Sequence, residues 1–412
     1  MELARQGVPV TVLEAARELG GRARRVPYRG VLLDNGQHIL LGAYHQLLRL
    51  LQIVQTPPNA LLRLPLQLKI DGQFTLRAGP GPGPFHLLTG LLTARGLNLQ
   101  ERLAAIQFMR TLARMDFTLA RDLPVSELLR QHRQGNKLIA YLWAPLCVAA
   151  LNTPLEAASA QIFLNVLRDS LHRQRADSDL LLPRIDLTQL FPERAAAYIE
   201  ARGGSVKLGA GVDRISAANR SFYLAGVHPL TVSHVICATG PHQTARLLRP
   251  HAELAPTVER LAQLSYQPIY TVYLQYPAAV GLSQPMLGLS GGLAQWVFDR
   301  GQLCGQAGLL AGVISASGPH QNLSLEEVAL SLQHEMAARF PGLGAPLWHK
   351  VVAEKRATFS CTPGLVRPTC STPLKHFFLA GDYTVADYPA TLESAVRSGV
   401  ECATRIVTSI AN

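Results

Sequence analysis

The pattern of apolar and polar positions predicts strands and helices alternating at both ends of the chain, around a long helical middle. Met1 to Gln6 (MELARQ) reads as the last turns of a helix stopped by Gly7. Val8 to Glu14 (VPVTVLE) follows as a short β-branched strand ending in an acid, and Gly20-Gly21-Arg22 then sits on a loop. Residues 45–70 mix helix signals with a loop broken by Pro57 and Pro58, and the run at 79–84 (GPGPGP) is a stiff breaker. Leu87, Leu88, Leu91 and Leu92, then Ile106, Met109, Leu112 and Ala113, keep helical spacing across 85–130, and 137–172 and 188–202 also read as helical. Strands are expected at 205–208, 212–215, 231–238, 268–276, 293–316 and 377–380, and a last helix at 391–410. No internal repeat is visible. The class is α/β with a second domain inserted.

Composition narrows the function classes. Of 412 residues, 48% are apolar and 16% charged, against about 25% charged in an average domain. That excludes a disordered chain and leaves enough apolar surface for a large core without disulfide or metal staples. Lys plus Arg is 39 and Asp plus Glu is 28, a formal net charge of +11, which favours phosphate groups, nucleic acid or an anionic lipid surface. The arginines are scattered, the densest run being Arg22, Arg24, Arg25 and Arg29. No basic helix with interleaved aromatics is visible, so nucleic acid is not expected as a partner, and a basic face on lipid headgroups fits better. Cys147, Cys237, Cys304, Cys361, Cys370 and Cys402 form no C-x-x-C pair and have no His at ligand spacing, so no metal site is expected. Reduced thiols, no signal peptide and no apolar run of about 18 residues predict a cytoplasmic protein without a spanning helix.

Two stretches carry candidate chemistry. In dinucleotide-binding folds an acid at the end of the second strand hydrogen-bonds the ribose, and Glu14 ends such a strand ahead of Gly20, Gly21 and Arg22. Near the other end stands LAGDYTVADYPATLESAVRSG (379–399). There a strand runs into Gly381-Asp382 and a helix follows Pro389. Asp382 can accept from a ribityl hydroxyl, and the helix start, at Thr391 and Leu392, can aim amides at a flavin carbonyl.

The GGRA loop and the GD…P…ESAxxSG tail resemble the FAD-dependent amine oxidase and phytoene desaturase superfamily. Asp34-Asn35-Gly36-Gln37-His38, WAPLCVAALNTP (143–154), YQPIYTVYL (266–274), QWVFDRG (295–301), EKRATF (354–359) and Arg367-Pro368 together resemble the hydroxysqualene dehydroxylase family within it. The resemblance spans essentially the whole chain. It implies a Rossmann-like FAD-binding domain (1–55, 195–255 and 351–412) with an inserted α+β substrate domain (56–194 and 256–350). It implies FAD as cofactor, an apolar C30 isoprenoid as substrate, and reductive removal of a hydroxyl group. Cofactor contacts are then expected at Glu14, Gly20, Gly21, Arg22, Gly36, Gln37, Val212, Gly381, Asp382, Thr391 and Leu392. His38 is the first candidate for the acid that protonates the leaving oxygen, with Asp387, Tyr388 and Tyr266 behind it. Glu393 is expected to make a structural bond or a flavin-side contact.

The apolar stretch at 85–130 is expected either to line a greasy channel at the inner face of the cytoplasmic membrane or to form ordinary core. Counting about 20 residues back from Glu14 passes Met1, so the family's first strand and G-x-G-x-x-G loop are expected to be missing and FAD binding to be weak. Two other readings stay open at this point. One is a carotenoid desaturase or amine oxidase of the same fold, and the other a cofactor-less lipid-binding protein. The sequence says nothing about oligomeric state.

Overall fold

A computed structural model of the chain describes residues 1–83, 85–218 and 221–411. Pro84, the end of the expected breaker, lies outside the described residues. The strands that position the site are, in chain order, β1 (Thr11–Leu13), β2 (Gln67–Ile70), β3 (Phe74–Arg77), β4 (Ser205–Lys207), β5 (Val235–Cys237), β6 (Tyr266–Gln275), β7 (Met286–Gly288), β8 (Trp296–Asp299), β9 (Leu309–Ser315), β10 (Trp348–Phe359) and β11 (Phe377–Leu379). The helices that matter are α1 (His45–Ile53), α2 (Phe85–Thr93), α3 (Leu99–Arg114), α4 (Ala160–Leu167), α5 (Leu325–Arg339) and α6 (Leu392–Ala411).

The largest sheet has seven strands in the order β10-β6-β9-β8-β7-β2-β3. Its ladders are antiparallel except where β7 meets β2, through Gly288 and Ile70, in parallel. Side chains of a strand alternate between faces, so this sheet divides two cores. Tyr270, Val272 and Leu274 of β6, with Leu310 and Ile314 of β9, meet Val328, Leu332 and Met336 of α5 on one face. Tyr273, Ala311 and Val313 point to the other face, into the main core. The approach of α5 requires Gly312, where a Cβ would sit 2.3 Å from a Leu332 methyl.

The nucleotide-type elements are short parallel pairs, β1 with β4 and β5 with β11. Parallel strands with helical crossovers are what the alternating pattern at the chain ends predicted. The carboxyl ends of β5 and β11 lie side by side and lead into Thr239-Gly240 and Gly381-Asp382. Ligands of open α/β sheets bind at such ends.

Several boundaries differ from expectation for local reasons. The 188–202 helix is two, Leu187–Leu190 and Pro192–Glu200, because Pro192 starts a helix but cannot continue one. The 231–238 strand breaks at Ser233-His234 into Leu230–Val232 and β5, which join different sheets. The domain boundary expected at residue 351 falls inside β10, which pairs along its length with β6.

Candidate active site

The two ends of the chain meet at Arg22. Its Nη2 donates to Asp382 Oδ1 at 2.8 Å and its Nη1 to the carbonyl of Ala357 in β10 at 2.6 Å. Burial works against the guanidinium charge, but Asp382 outweighs it and holds the pKa above the usual arginine value. Asn35 Nδ2 donates to the Arg22 carbonyl and to Glu354 Oε2, tying the 34–38 turn to the same place. Asp382 is buried, and its Oδ2 has no partner among the described residues. Behind it Tyr383, Thr244 and Thr239 share a hydrogen-bonded hydroxyl network under the ends of β5 and β11.

Helix α6 starts at the same locus. Thr391 Oγ1 accepts from the Ser394 amide at 3.1 Å, so Thr391 acts as its cap, and Leu392 opens the first turn. Glu393 is fully buried and accepts from the amides of Gln46 and Leu47 at 3.1 and 2.9 Å, in the first turn of α1. Its Oε1 also pairs with Arg397 Nε at 2.9 Å. The expected structural bond of Glu393 is therefore a carboxylate cap joining α1 to α6.

The 34–38 turn lies on the main-core face of the large sheet. His38 Nδ1 lies 2.8 Å from the Gly36 carbonyl. That oxygen can only accept, so Nδ1 carries the proton and Nε2 is the lone-pair atom. Burial lowers the His38 pKa below its ordinary value, which leaves a neutral imidazole with little to donate. A Cβ on Gly36 would lie 3.9 Å from Thr271 Oγ1, a fully buried hydroxyl with no partner among the described residues. Tyr388, also fully buried, keeps its hydroxyl unpartnered while the Arg397 guanidinium lies 4.3 Å over its ring. Burial raises its pKa, so it stays protonated. Asp387 is exposed on the loop before Pro389, and its carbonyl accepts from Asn165 Nδ2 of α4 at 2.8 Å. Tyr266 begins β6 near the Arg22–Asp382 pair, with its hydroxyl pKa raised by burial.

Other predicted contacts have internal work. Glu14 Oε1 accepts from the Ala16 amide at 2.8 Å, beside the end of β4. Gly20 has φ +113°, and a Cβ there would strike the Ala23 carbonyl, whereas Gly21, at φ +59°, faces open space. Gly381 has φ +155°, but the ring of Tyr383 fills the space a Cβ would take. Gln37 Oε1 accepts from Arg300 Nη1 at 3.0 Å. Val212 starts a three-stranded antiparallel sheet opposite Gly226.

Sequence reasoning quoted the motifs around Arg300, Asn152 and Arg367 without giving these residues roles. Arg300 pairs with Asp34 Oδ2 at 3.1 Å, and Asp34 Oδ1 accepts from the Leu187 amide. Asn152, at φ +47°, bridges the Pro268 carbonyl, Thr358 Oγ1 and the Ala316 amide. The QWVFDRG and NTP motifs thus clamp the turns and strands that face the site.

The profile of the flavin containing amine oxidoreductase family matches residues 1–407. The chain belongs to that family. It is an FAD-dependent oxidoreductase, as the geometry at Arg22, Asp382 and α6 suggests. It is 27% identical to the hydroxysqualene dehydroxylase of Rhodopseudomonas palustris over 97% of this chain and 93% of that protein. It is 25% identical to the same-named protein of Sinorhizobium fredii over 97% and 93%. The zeta-carotene desaturase of Solanum lycopersicum is 24% identical over 97% of this chain and 77% of its own length. Among solved structures, an oxidoreductase from Methanosarcina mazei superposes with a TM-score of 0.73 at 15% identity, covering 97% of this chain and 96% of that one. Cyclohexylamine oxidase from Brevibacterium oxydans gives 0.70 at 16%, covering 100% and 96%. At these identities the structures show a shared fold.

The residues present fit the family's cofactor. The open Oδ2 of Asp382, the space in front of Gly21 and the first-turn amides of α6 supply an acceptor, room and donors near the carboxyl ends of β5 and β11, and the orphaned Thr271 hydroxyl adds a polar group beside Gly36 on the large sheet. Among the described residues no cluster of His, Cys, Asp and Glu could hold a metal ion.

Proposed function

We propose that the protein reduces an allylic C30 alcohol of the hydroxysqualene type to its hydrocarbon, squalene, with loss of water. The observation that carries this reading is the near full-length match to relatives named hydroxysqualene dehydroxylase. When bound, reduced FAD would supply a hydride, one proton carrying two electrons, to the carbon that loses its oxygen. The chain's own residues do the rest. Arg22 and Asp382 hold the cofactor's polar arm, and Gly21 leaves room for it. Thr391 and Leu392 present the positive end of α6. Gly20, Gly36, Gln37 and Gly381 shape the turns beside these groups, and Glu14 and Val212 lie farther along, at a strand end and a strand start, as candidate contacts for the cofactor's other end.

A neutral His38 accepts a hydrogen bond at Nε2 rather than giving a proton. Tyr388, its pKa raised by burial, holds its proton, which leaves exposed Asp387 beside it as the route by which a solvent proton reaches the leaving oxygen. The apolar void between Leu68, Leu87, Leu91, Trp143 and Leu171 measures about 10 Å³, and a C30 chain entering along it must part those side chains.

The same reading includes contact with an anionic membrane surface at the cytoplasmic side. Phe85 and Leu92 of α2 and Leu99 and Leu103 of α3 are each exposed, as are Arg95 between the two helices and Arg110 and Arg114 along α3. Apolar anchors with a basic rim suit a lipid headgroup layer. Among the described residues no helix is long and apolar enough to cross a membrane. Co-sedimentation with anionic vesicles should be lost in Leu99→Glu/Leu103→Glu; undiminished binding would remove this part of the proposal.

The zeta-carotene desaturases among the relatives support a second reading, in which electrons flow from a polyene to the flavin. Anaerobic incubation of chemically reduced, FAD-loaded protein with hydroxysqualene, followed by product analysis, distinguishes them. Squalene is expected. Unchanged alcohol, with oxidised protein instead dehydrogenating a carotene, would favour the second reading.

A further inference from the structure

A buried charge beside the candidate site makes no ion pair: its hydrogen bonds go to carbonyls. Arg367 is 6% exposed, yet its Nη1 and Nη2 donate only to the carbonyls of Tyr388, at 2.9 Å, and Ala386. Its guanidinium lies 4.7 Å over the Phe359 ring, and its Nε has no partner among the described residues. Asp382 and Asp387 attract it without bonding to it, so the cation keeps much of its desolvation cost, and burial lowers its pKa in spite of them.

Arg367 lines a cavity of about 210 Å³ together with Ala386, Asp122, Ser159, Cys361 and Thr362, among others. The cavity abuts the loop that runs into α6. Its lining holds one fixed negative charge as well. Asp122 accepts from the amides of Leu123 and Gln161 and from the Ser159 hydroxyl. An anion would gain from Arg367 and lose to Asp122. The Cys361 thiol, pushed up to about 12 by burial, stays neutral. A neutral oxygen acceptor suits this lining, because it takes the free Nε–H without bringing charge. At ~30 Å³ per water-sized group, the volume holds about seven such groups, roughly one isoprene unit with its hydroxyl.

We propose that this cavity binds the hydroxyl-bearing segment of a neutral isoprenoid alcohol, with Arg367 Nε–H donating to the substrate oxygen. This rests on the reading of the protein as an alcohol-reducing flavoenzyme. As the C–O bond breaks, its electron pair goes to the oxygen, and the growing charge faces the guanidinium. A proton from solvent turns the oxygen into water, and bound reduced FAD would supply the carbon with a hydride, one proton carrying two electrons. Arg367 remains protonated throughout and stabilises the leaving oxygen.

The test is equilibrium binding to FAD-saturated, oxidised protein without reductant, so that nothing turns over. Hydroxysqualene should bind about ten- to a hundred-fold tighter than squalene, the range of one charge-assisted hydrogen bond. Arg367→Met should remove that preference and leave squalene binding unchanged. Because Arg367 also holds the loop, Ala386→Leu provides a second probe, filling the cavity while keeping both carbonyl bonds; it should remove the preference too. Full preference in either folded variant, or no preference in the unmodified protein, overturns the site. Squalene formed by the unmodified protein, with preference kept in the variants, sinks the site and leaves the reaction standing. Preference lost in the variants, with no squalene formed under reducing conditions, keeps the site and sinks the reaction.

Discussion

Arg300 and Arg367 are both buried, and they are treated in opposite ways. Arg300 lies on the main-core face of the large sheet with Asp34, Gln37, Gln306 and the Leu32 carbonyl around its guanidinium. Its counter-charge is built in, and the ion pair itself is buried. Arg367 has two carbonyls, a ring and a cavity. The first arrangement fixes a turn; the second leaves a donor for something that arrives. Satisfaction of hydrogen bonds, rather than burial, separates the clamp from the site.

Removing each arginine should expose that difference. Arg300→Leu leaves the buried Asp34 carboxylate unpaired, and the unfolding free energy in a denaturant titration should fall by about 3–5 kcal/mol. Arg367→Met leaves two carbonyls short of a donor but also removes an uncompensated cation, so its loss should be about 1–2 kcal/mol. Equal losses for the two would erase the distinction.

Glu393→Ala probes the α1–α6 joint, where two amides and Arg397 lose their acceptor; about 2 kcal/mol should go, read by the same titration. Arg22→Ala contrasts with it. That side chain is 38% exposed but its partner Asp382 is only 5% exposed, so stability should fall by about 1–3 kcal/mol, less than for Arg300→Leu, while FAD retention on gel filtration falls about tenfold. A large stability loss with FAD held normally would make Arg22 a clamp like Arg300.

The smallest expected effect is in pH. Native His38 resists protonation, so the unfolded chain takes up a proton first as pH falls below about 6.5. The contribution is complete above that value and declines through the lower native pKa. The thermal midpoint should therefore drop between pH 7 and 5.5, and His38→Asn should flatten that drop. Parallel profiles would show that His38 titrates normally.

Much of this was legible in the sequence, and for definite reasons. Glu14, the GGR loop and the GD…P…ES tail lie on strand ends and a helix start, and these are local signals. Their convergence through Arg22 and Asp382 follows from the fold they specify. Glu393 was legible from its helix location as making a structural bond or a flavin-side contact; its burial and its donors in α1 come from packing. Asp34–Arg300 and the Asn152 bridges join residues far apart in the chain, so no periodicity announces them. Arg367 was visible only as part of an RP pair; its missing carboxylate is a fact of packing. The break at Ser233-His234 was hidden because both halves carry β-branched residues.

The most direct measurement is an anaerobic stoichiometry. The FAD-loaded protein, reduced chemically and freed of excess reductant, is mixed with hydroxysqualene while flavin absorbance is followed and the lipid extracted. One flavin should be reoxidised for each squalene formed. Flavin that stays reduced, with the alcohol recovered intact, would contradict it.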